Sequence, residues 1–369
     1  TTQAKITSSG LQNASGVAIT AQSGKNLIIN GDMVIDQRNG GSAVTVSSAY
    51  TVDRFKFQEG GGGGQVVSVQ QVTDAPVGFS NSFKLTNTTA SSSITADAYN
   101  MFWQAVEGLN WSDLEWGTSD AKTATISFWV KASIAGNYSL AIRSSNNDRS
   151  YVTPYTISSA NTWEYKTITI SGPTSGTFNT DNTKAIQVAF THSMGSNYTS
   201  SGNNAWQSES KLGATGTQVA LSNTVNSTWQ VTGVQLEANT IATPFENLQY
   251  GQQLALCQRY LQSSWSQGSA IGSAVGQTTN SVQQSWGSLN AGIAGQAFLL
   301  PVTMRTSPTL VVYDMALTTG KVTTLGNGAS ATNNVAANNS STTTNMFYVR
   351  MYANNQAGMV FAYTLTAEL

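Results

Sequence analysis

The chain has 369 residues, of which 9% are charged and 40% hydrophobic, and its formal net charge is −1. An average soluble domain carries roughly 25% charge, so Ser, Thr, Asn, Gln and Gly here stand where titratable groups usually do. This leaves no basic surface for a phosphate backbone and disfavours an acid–base active site, which needs clustered titratable residues.

One cysteine, Cys257, allows no intrachain disulfide. Its place on an apolar helical stripe reads as a buried packing thiol. One histidine, His192, is too few for a His-based metal site. The opening TTQAKITSSGLQNASG lacks the basic and apolar regions of a signal peptide. No run of 18 apolar residues suggests a membrane helix. The expectation is a protein made in a cytosol that inserts in no membrane and binds no nucleic acid.

Residues 1–25 are small and polar with no hydrophobic face, and read as an anchoring arm that orders by lying on another subunit or a larger assembly. Strand signals follow. Asn26–Asp32 ends in a turn, and Tyr50–Phe57 reads as a strand. Gly60–Gly64 breaks the chain; with no Lys-Ser/Thr and no helix after it, it is a flexible hairpin tip and not a phosphate loop. Gln65–Val72, Ser82–Thr88, Ala124–Lys131, Gly136–Arg143, Trp163–Ile170, Ala185–His192 and Ser227–Glu237 are rich in β-branched and aromatic residues. In Thr125–Val130 the alternation points Ile126, Phe128 and Val130 inward and Trp129 outward. These strands predict an antiparallel jelly-roll sandwich over 26–250.

Leu254, Cys257, Leu261 and Trp265 fall at helical spacing, with Leu256 and Tyr260 alongside, and predict a linking helix over 251–266. A second, smaller β domain over 267–369 follows. It begins with a Ser/Gly-rich stretch containing Trp286, then strands at Gln296–Thr303, Thr309–Asp314, Gly320–Leu325, Met346–Tyr352 and Met359–Ala367. Thr332–Thr344 reads as a polar loop, and the closing strand should pair with its own sheet or a neighbouring subunit. The fold class is therefore all-β, an antiparallel sandwich followed by a short helix and a smaller β domain.

Several segments occur in a familiar order: Asn26–Met33, Gln37-Arg38, Tyr50–Phe55, Ile126–Lys131, Thr162–Lys166, Val231–Glu237, Ala242–Glu246 and Cys257–Tyr260. The set resembles a broad group of bacteriophage virion proteins, mostly tail fibres and prophage tail proteins. Met304–Pro308 and the closing Ala-Glu-Leu look like the small β domain that often follows in them. The sandwich is similar to carbohydrate-binding modules of jelly-roll type. What the resemblance implies is a virion structural protein, homotrimeric, that docks through its arm to other virion proteins. It also implies a structural calcium near Asp32 and Glu237, which would need carbonyl oxygens to complete its shell. No other cofactor is expected.

Sugars stack their apolar faces on aromatic rings. The ring candidates are Trp103, Trp111, Trp116, Tyr151, Tyr155 and Trp206, with Tyr138 and Tyr198 beside them, and Asn146, Asn147 and Asp148 as hydrogen-bonding partners. For any single ring, a place in the core or a subunit interface is the competing reading. For catalysis, the carboxylates close in sequence are Asp113/Glu115 and Asp53/Glu59. Glycoside cleavage needs such a pair at about 5–9.5 Å, and nothing in the sequence makes either pair converge. The leading expectation is a tail fibre or receptor-binding protein that recognises a host-surface glycan and is not an enzyme. A head decoration or cement protein is the alternative. A tail depolymerase is third, since no β-helix repeat is present.

Overall fold

The computed structural model describes residues 5–7, 10–12, 25–61, 65–91, 94–216, 218–289, 292–326, 331–353 and 356–369. Strands β1 (Lys5–Thr7) and β2 (Gly10–Gln12) pair as a hairpin. The rest of the predicted arm before Lys25 lies outside the described residues, as do Gly62–Gly64 of the glycine run.

The sandwich is built from β3 (Val44–Val46), β4 (Ser48–Tyr50), β5 (Lys56–Gly60), β6 (Val66–Val72), β7 (Ser82–Thr89), β8 (Tyr99–Glu107), β9 (Ala124–Ala132), β10 (Gly136–Ser144), β11 (Ser150–Ile157), β12 (Glu164–Ile170), β13 (Lys184–Met194), β14 (Trp206–Gln207) and β15 (Thr228–Glu237). One sheet runs β14-β11-β10-β13-β8-β5-β4 and the other β12-β9-β15-β7-β6-β3. Neighbours pair antiparallel. Between the sheets lie Ile126, Phe128 and Val130, pointing inward as their alternation predicts, with Phe83, Phe102 and Trp229. Phe83 stacks on Phe102 at 3.7 Å, and Trp229 meets Phe102 edge-on at 6.0 Å.

Four sandwich strands fall outside every predicted one: the short β3 and β14, and the long β8 and β11. Neither β8 nor β11 was expected, and both lie in the seven-stranded sheet. That sheet is covered on both faces. Phe102 and Val106 of β8 join the inner core, while Met101, Trp103 and Ala105 pack under Leu212 and Ala214 of the segment after β13. A strand buried on both sides shows no alternation to read. Conversely, Asn26–Asp32 and Thr51–Phe55 are turns, not strands. Asn30, Met33 and Arg54 take left-handed backbone there. Asn30 pins the two turns together, its Nδ2 donating to the carbonyls of Ile35 and Asp53 at 2.8 and 3.0 Å.

After the sandwich come α1 (Tyr250–Gln258), β16 (Leu261–Ser263), β17 (Val282–Leu289), β18 (Gly292–Leu299), β19 (Thr309–Tyr313), β20 (Lys321–Gly326), β21 (Thr332–Ala336), β22 (Asn338–Thr342), β23 (Met346–Ala353) and β24 (Gln356–Thr366). The helix is shorter than predicted. Leu261 leaves it to pair with Thr366, so the 3.6-residue spacing of Leu261 and Trp265 is incidental. The predicted loop 332–344 contains two strands, and β17 lies in the Ser/Gly-rich stretch. The closing strand stays within its own domain: β24 pairs with β16, β17, β19 and β20 over a core of Met304, Val322, Phe347, Phe361 and Leu365.

Candidate functional site: a tryptophan-walled pocket

At the end of β8 the chain makes two single-turn 3-10 helices, Gly108–Asn110 and Ser112–Leu114, with Trp111 between them. Buried Leu114 anchors the second turn. Glu115 then adopts left-handed backbone (φ 55°), a conformation that costs a non-glycine residue energy and often marks a functional loop. The reversal sets Trp116 edge-on against Trp111, with ring centroids 4.7 Å apart at 90°.

A second loop, 173–180, closes the other side. The Gly117 amide donates to the Pro173 carbonyl at 2.8 Å. Gly117 (φ 94°) lies so near Gly176 that a Cβ on it would sit 2.5 Å from the Gly176 carbonyl oxygen. Only glycine meets both demands. Phe178 from this loop meets Trp116 edge-on at 5.8 Å, and Trp206 backs them both at 5.2 and 5.9 Å. The cavity between the loops holds about 380 Å³, within the ~300–1,000 Å³ of small-ligand sites. Its walls are Trp111, Trp116 and Phe178, and its rim carries Ser112, Glu115, Thr118, Thr177 and Thr180.

The polar groups of this pocket differ in what they have left to offer. Trp116 Nε1 donates to the Lys122 carbonyl at 2.7 Å, and Trp206 Nε1 to the Ser171 carbonyl at 3.0 Å. Glu115 is paired with Lys122 Nζ at 2.8 Å, with both side chains about half exposed (41% and 51%). Trp111 is 1% exposed, and its Nε1–H has no acceptor among the described residues. An indole nitrogen can only donate.

Of the predicted rings, the structure brings Trp111 and Trp116 together, with Trp206 behind them, but at 1% and 5% exposure both belong to the sandwich core and show the pocket little more than an edge. The others form no surface platform either. Trp103 lies 7% exposed on the covered outer face of the seven-stranded sheet and donates to Gln58 Oε1. Tyr151 is equally buried, against Trp206. Tyr155 sits in the sandwich core, where its hydroxyl accepts from Trp229 Nε1 at 3.2 Å. Tyr138 is core as well, and Tyr198 packs on Tyr99. Large rings at strand interiors are worth more buried than displayed. Asn146, Asn147 and Asp148 form the β10–β11 turn: Asn147 is left-handed and accepts from Lys184 Nζ, and Asp148 accepts from Ser144 Oγ. Phe178 and the glycine pair 117/176 escaped the sequence reading, because only their approach across 60 residues gives them meaning.

The calcium expectation fares poorly on its donor set. Glu237 is buried, and its carboxylate accepts from the Thr243 amide and hydroxyl at 2.8 and 2.7 Å and from Gln235 Nε2 at 2.9 Å. Lys25 Nζ sits on Thr243 Oγ1 and the Pro244 carbonyl, so the chain places its own cation here. Among the described residues, no group of three or more His, Cys, Asp or Glu is placed to hold a metal ion. Asp32 has a buried Oδ1 without a partner among the described residues, but it lies beside Thr232, five residues along β15 from Glu237, so the two carboxylates do not converge on the six to eight oxygens Ca²⁺ wants.

A second concentration of chemistry lies between the sandwich and the C-terminal domain. Glu368 pairs with buried Arg54 and, at 3.0 Å, with Arg38. Arg38 also faces Asp53 at 3.8 Å, and Gln37 donates to Asp53 from both its amide and its side chain. Burial pushes the Asp53 carboxyl up to about 6 against the opposing pull of Arg38 and Gln37. Arg54 lies 3.4 Å over the Tyr260 ring. Glu107 takes Arg259 at 2.5 and 2.9 Å and the Tyr260 hydroxyl. Arg305 donates to the carbonyls of Asn182, Ala367 and Glu368. Tyr50 donates to the Leu369 carbonyl at 2.6 Å. Cys257 is buried beside this cluster, its thiol pushed well up by burial, as expected of a packing residue. Asp53 is thus locked at the junction and Glu59 lies on β5, so this pair forms no open carboxylate site.

No family model matches the chain, and no curated protein matches it. Among solved structures it is similar to the enzymatically active domain of tailspike protein 4 of bacteriophage CBA120, at 14% identity and a TM-score of 0.31 over 61% of this chain. It spans 22% of that chain's length. It is also similar to the family 11 carbohydrate-binding module of a cellulosomal cellulase of Clostridium thermocellum (17% identity, TM-score 0.29, 55% of this chain and 99% of that one). A third is the CBM22-1 xylan-binding domain of Paenibacillus barcinonensis (11%, 0.27, 55% and 99%).

Proposed function

We propose that this chain is a non-catalytic glycan-binding protein of a bacteriophage virion, which holds a host-surface sugar between the loops 111–118 and 173–180. In this reading it is a homotrimeric tail fibre or receptor-binding protein, attached to other virion proteins through residues 1–25. The observation that supports sugar binding is the pocket itself. A cavity of about 380 Å³ lies between the two loops, backed by Trp111, Trp116 and half-buried Phe178 and rimmed by Ser112, Thr118, Thr177 and Thr180, whose hydroxyls can bond sugar OH groups. A binding role without chemistry is supported by the nearby Glu115, the one carboxylate that lines the pocket, which is tied to Lys122. The virion reading is supported by the ordered segments that resemble phage tail proteins. Three of them, holding Arg38, Arg54 and Tyr260, meet the closing Glu368 at the domain junction.

Thr177 is exposed on the rim, so Thr177→Trp fills the pocket without touching the core. The variant should unfold at the same midpoint as the parent and lose at least about tenfold in affinity on a host-glycan array. Undiminished binding by Thr177→Trp would remove the pocket from the function. Gold-labelled antibody on intact particles checks the placement: label at the tail is expected, and label over the head would replace receptor binding with capsid decoration.

A further inference from the structure

Resting on the pocket reading above, we infer that Arg259 and Arg305 are positioning residues for the pocket. Together they seat the bases of both its loops on the C-terminal domain, so that glycan affinity depends on how that domain is docked. The two loops meet at a seam. Glu107 is the last residue of β8, and the chain enters the first loop at Gly108. The Gly108 amide donates to the Thr183 carbonyl at 2.8 Å. A Cβ on Gly108 would lie 2.5 Å from the Asn179 carbonyl oxygen and 2.6 Å from that of Asp181. The base of the first loop therefore rests directly on the base of the second, and contact this close leaves neither free to shift alone.

Two arginines from outside the sandwich grip this seam. Arg259, which follows α1, takes the buried Glu107 carboxylate with two donors at 2.5 and 2.9 Å. Such a bidentate pair fixes orientation as well as distance. Arg305 holds the other side. It donates to the Asn182 carbonyl at 2.7 Å, and Asn182 Nδ2 returns a bond to the Arg305 carbonyl at 3.0 Å. Asn182 lies two residues beyond Thr180 of the rim. The Arg305 amide donates to the Arg259 carbonyl at 2.9 Å, which joins the two grips into one unit. That unit is rooted in the C-terminal domain. Met304 is buried in its core, and Arg305 also donates to the carbonyls of Ala367 and Glu368. A contiguous run of bonds carries coupling between two places, and this one leads from the closing residues through Arg305 and Asn182 to the pocket rim. By linkage, a ligand that favours the seated loops tightens the docking of the domain by the same factor.

The first measurement reads the pocket without its ligand. Nitroxide labels on Thr118→Cys and Thr177→Cys, exposed rim residues of opposite loops, report the width of the mouth. Cys257 is buried and stays unlabelled. The full chain should give one narrow distance distribution. Arg305→Ala should broaden it and, without the labels, weaken binding on a host-glycan array about fivefold or more. Glu368→Ala is the control. It removes the carboxylate from Arg38 and Arg54 at the same junction but leaves both grips, so it should keep the mouth narrow and the affinity whole. Asn182→Ala deletes one bond of the reciprocal pair and should move both readouts the same way by less. It decides the matter if Arg305→Ala does not fold. An unchanged mouth and affinity in these two variants, or an equal loss in Glu368→Ala, overturns this inference and leaves the pocket reading standing. A parent protein that binds no glycan, or binds one no better than Thr177→Trp does, overturns both.

Discussion

The junction between the two domains and the tryptophan pocket are built from opposite materials. The junction gathers Arg38, Asp53, Arg54, Glu107, Arg259 and Glu368, and each of these charges faces an opposite one within 4 Å. The pocket is lined by one carboxylate, Glu115, and a few hydroxyls over largely buried rings. By density of titratable groups the junction is the richer place, and an active-site search guided by charge would stop there. Its groups, however, are spent on one another and on the chain's closing residues. What separates a functional candidate from a structural staple here is open volume beside exposed hydroxyls.

The sharpest way to test that contrast is to break the staple. Glu368→Ala leaves Arg54, 1% exposed, buried without its carboxylate. Removing one partner of such a pair costs about 3–5 kcal/mol, and the chemical unfolding midpoint should fall accordingly. Glycan binding by the folded fraction should be unchanged. Replacing both partners, as Arg54→Met with Glu368→Leu, should recover much of the loss. A cost under about 1 kcal/mol for Glu368→Ala would mean that the junction is open to water and that the comparison is drawn wrongly.

The next effect separates the sandwich core from both sites. His192 lies between the sheets, edge-on to Trp229 at 4.5 Å, and burial drives its pKa down to about 3. The unfolded chain protonates near 6.5, so between about pH 6.5 and 3 the unfolded state binds more protons. Stability is whole above pH 6.5 and falls as the pH drops through that window, by up to ~1.4 kcal/mol per pH unit. Asp53 acts in the opposite sense. Its carboxyl is raised to about 6, so its contribution is whole below the ordinary carboxylate pKa and is lost as the pH rises through 6. Between about pH 4 and 6 the two offset each other. His192→Phe should therefore leave a protein that grows more stable on acidification from pH 7 to 5, where the parent stays nearly level. Parallel pH profiles for parent and variant would place His192 in contact with water.

Much of this organisation is visible in the sequence, and the part that is not has a common cause. Richness in β-branched and aromatic residues exposed β9, β10, β12 and β15, and alternation then turned Ile126, Phe128 and Val130 of β9 inward. It was silent for β8, where Phe102 and Val106 face the inner core while Met101, Trp103 and Ala105 are buried on the other side. That silence also misplaced Trp103, Tyr151 and Tyr155, which sit on β8 and β11. The helix ran too long because Leu261 kept helical spacing while pairing with Thr366. Trp111 and Trp116 were legible as rings near a turn. Their partner Phe178 was not, since the meeting depends on two glycines in loops about 60 residues apart.

The smallest effect expected is none at all, at the Glu237 end of β15. A jelly-roll module held there by calcium would lose stability on chelation. In this chain the Glu237 oxygens are taken by Thr243 and Gln235, and the ammonium of Lys25 lies against Thr243 Oγ1 and the Pro244 carbonyl at 2.8 and 2.6 Å. Excess EDTA should leave the thermal midpoint where it was, and added calcium should not raise it. Lys25→Met then gives the finer reading. If the ammonium supplies the positive charge, removing it lowers the midpoint slightly and still confers no calcium response, because the Glu237 oxygens stay bonded to the chain. A rise in midpoint with calcium in the parent protein would show that the ion can displace Thr243 and Gln235.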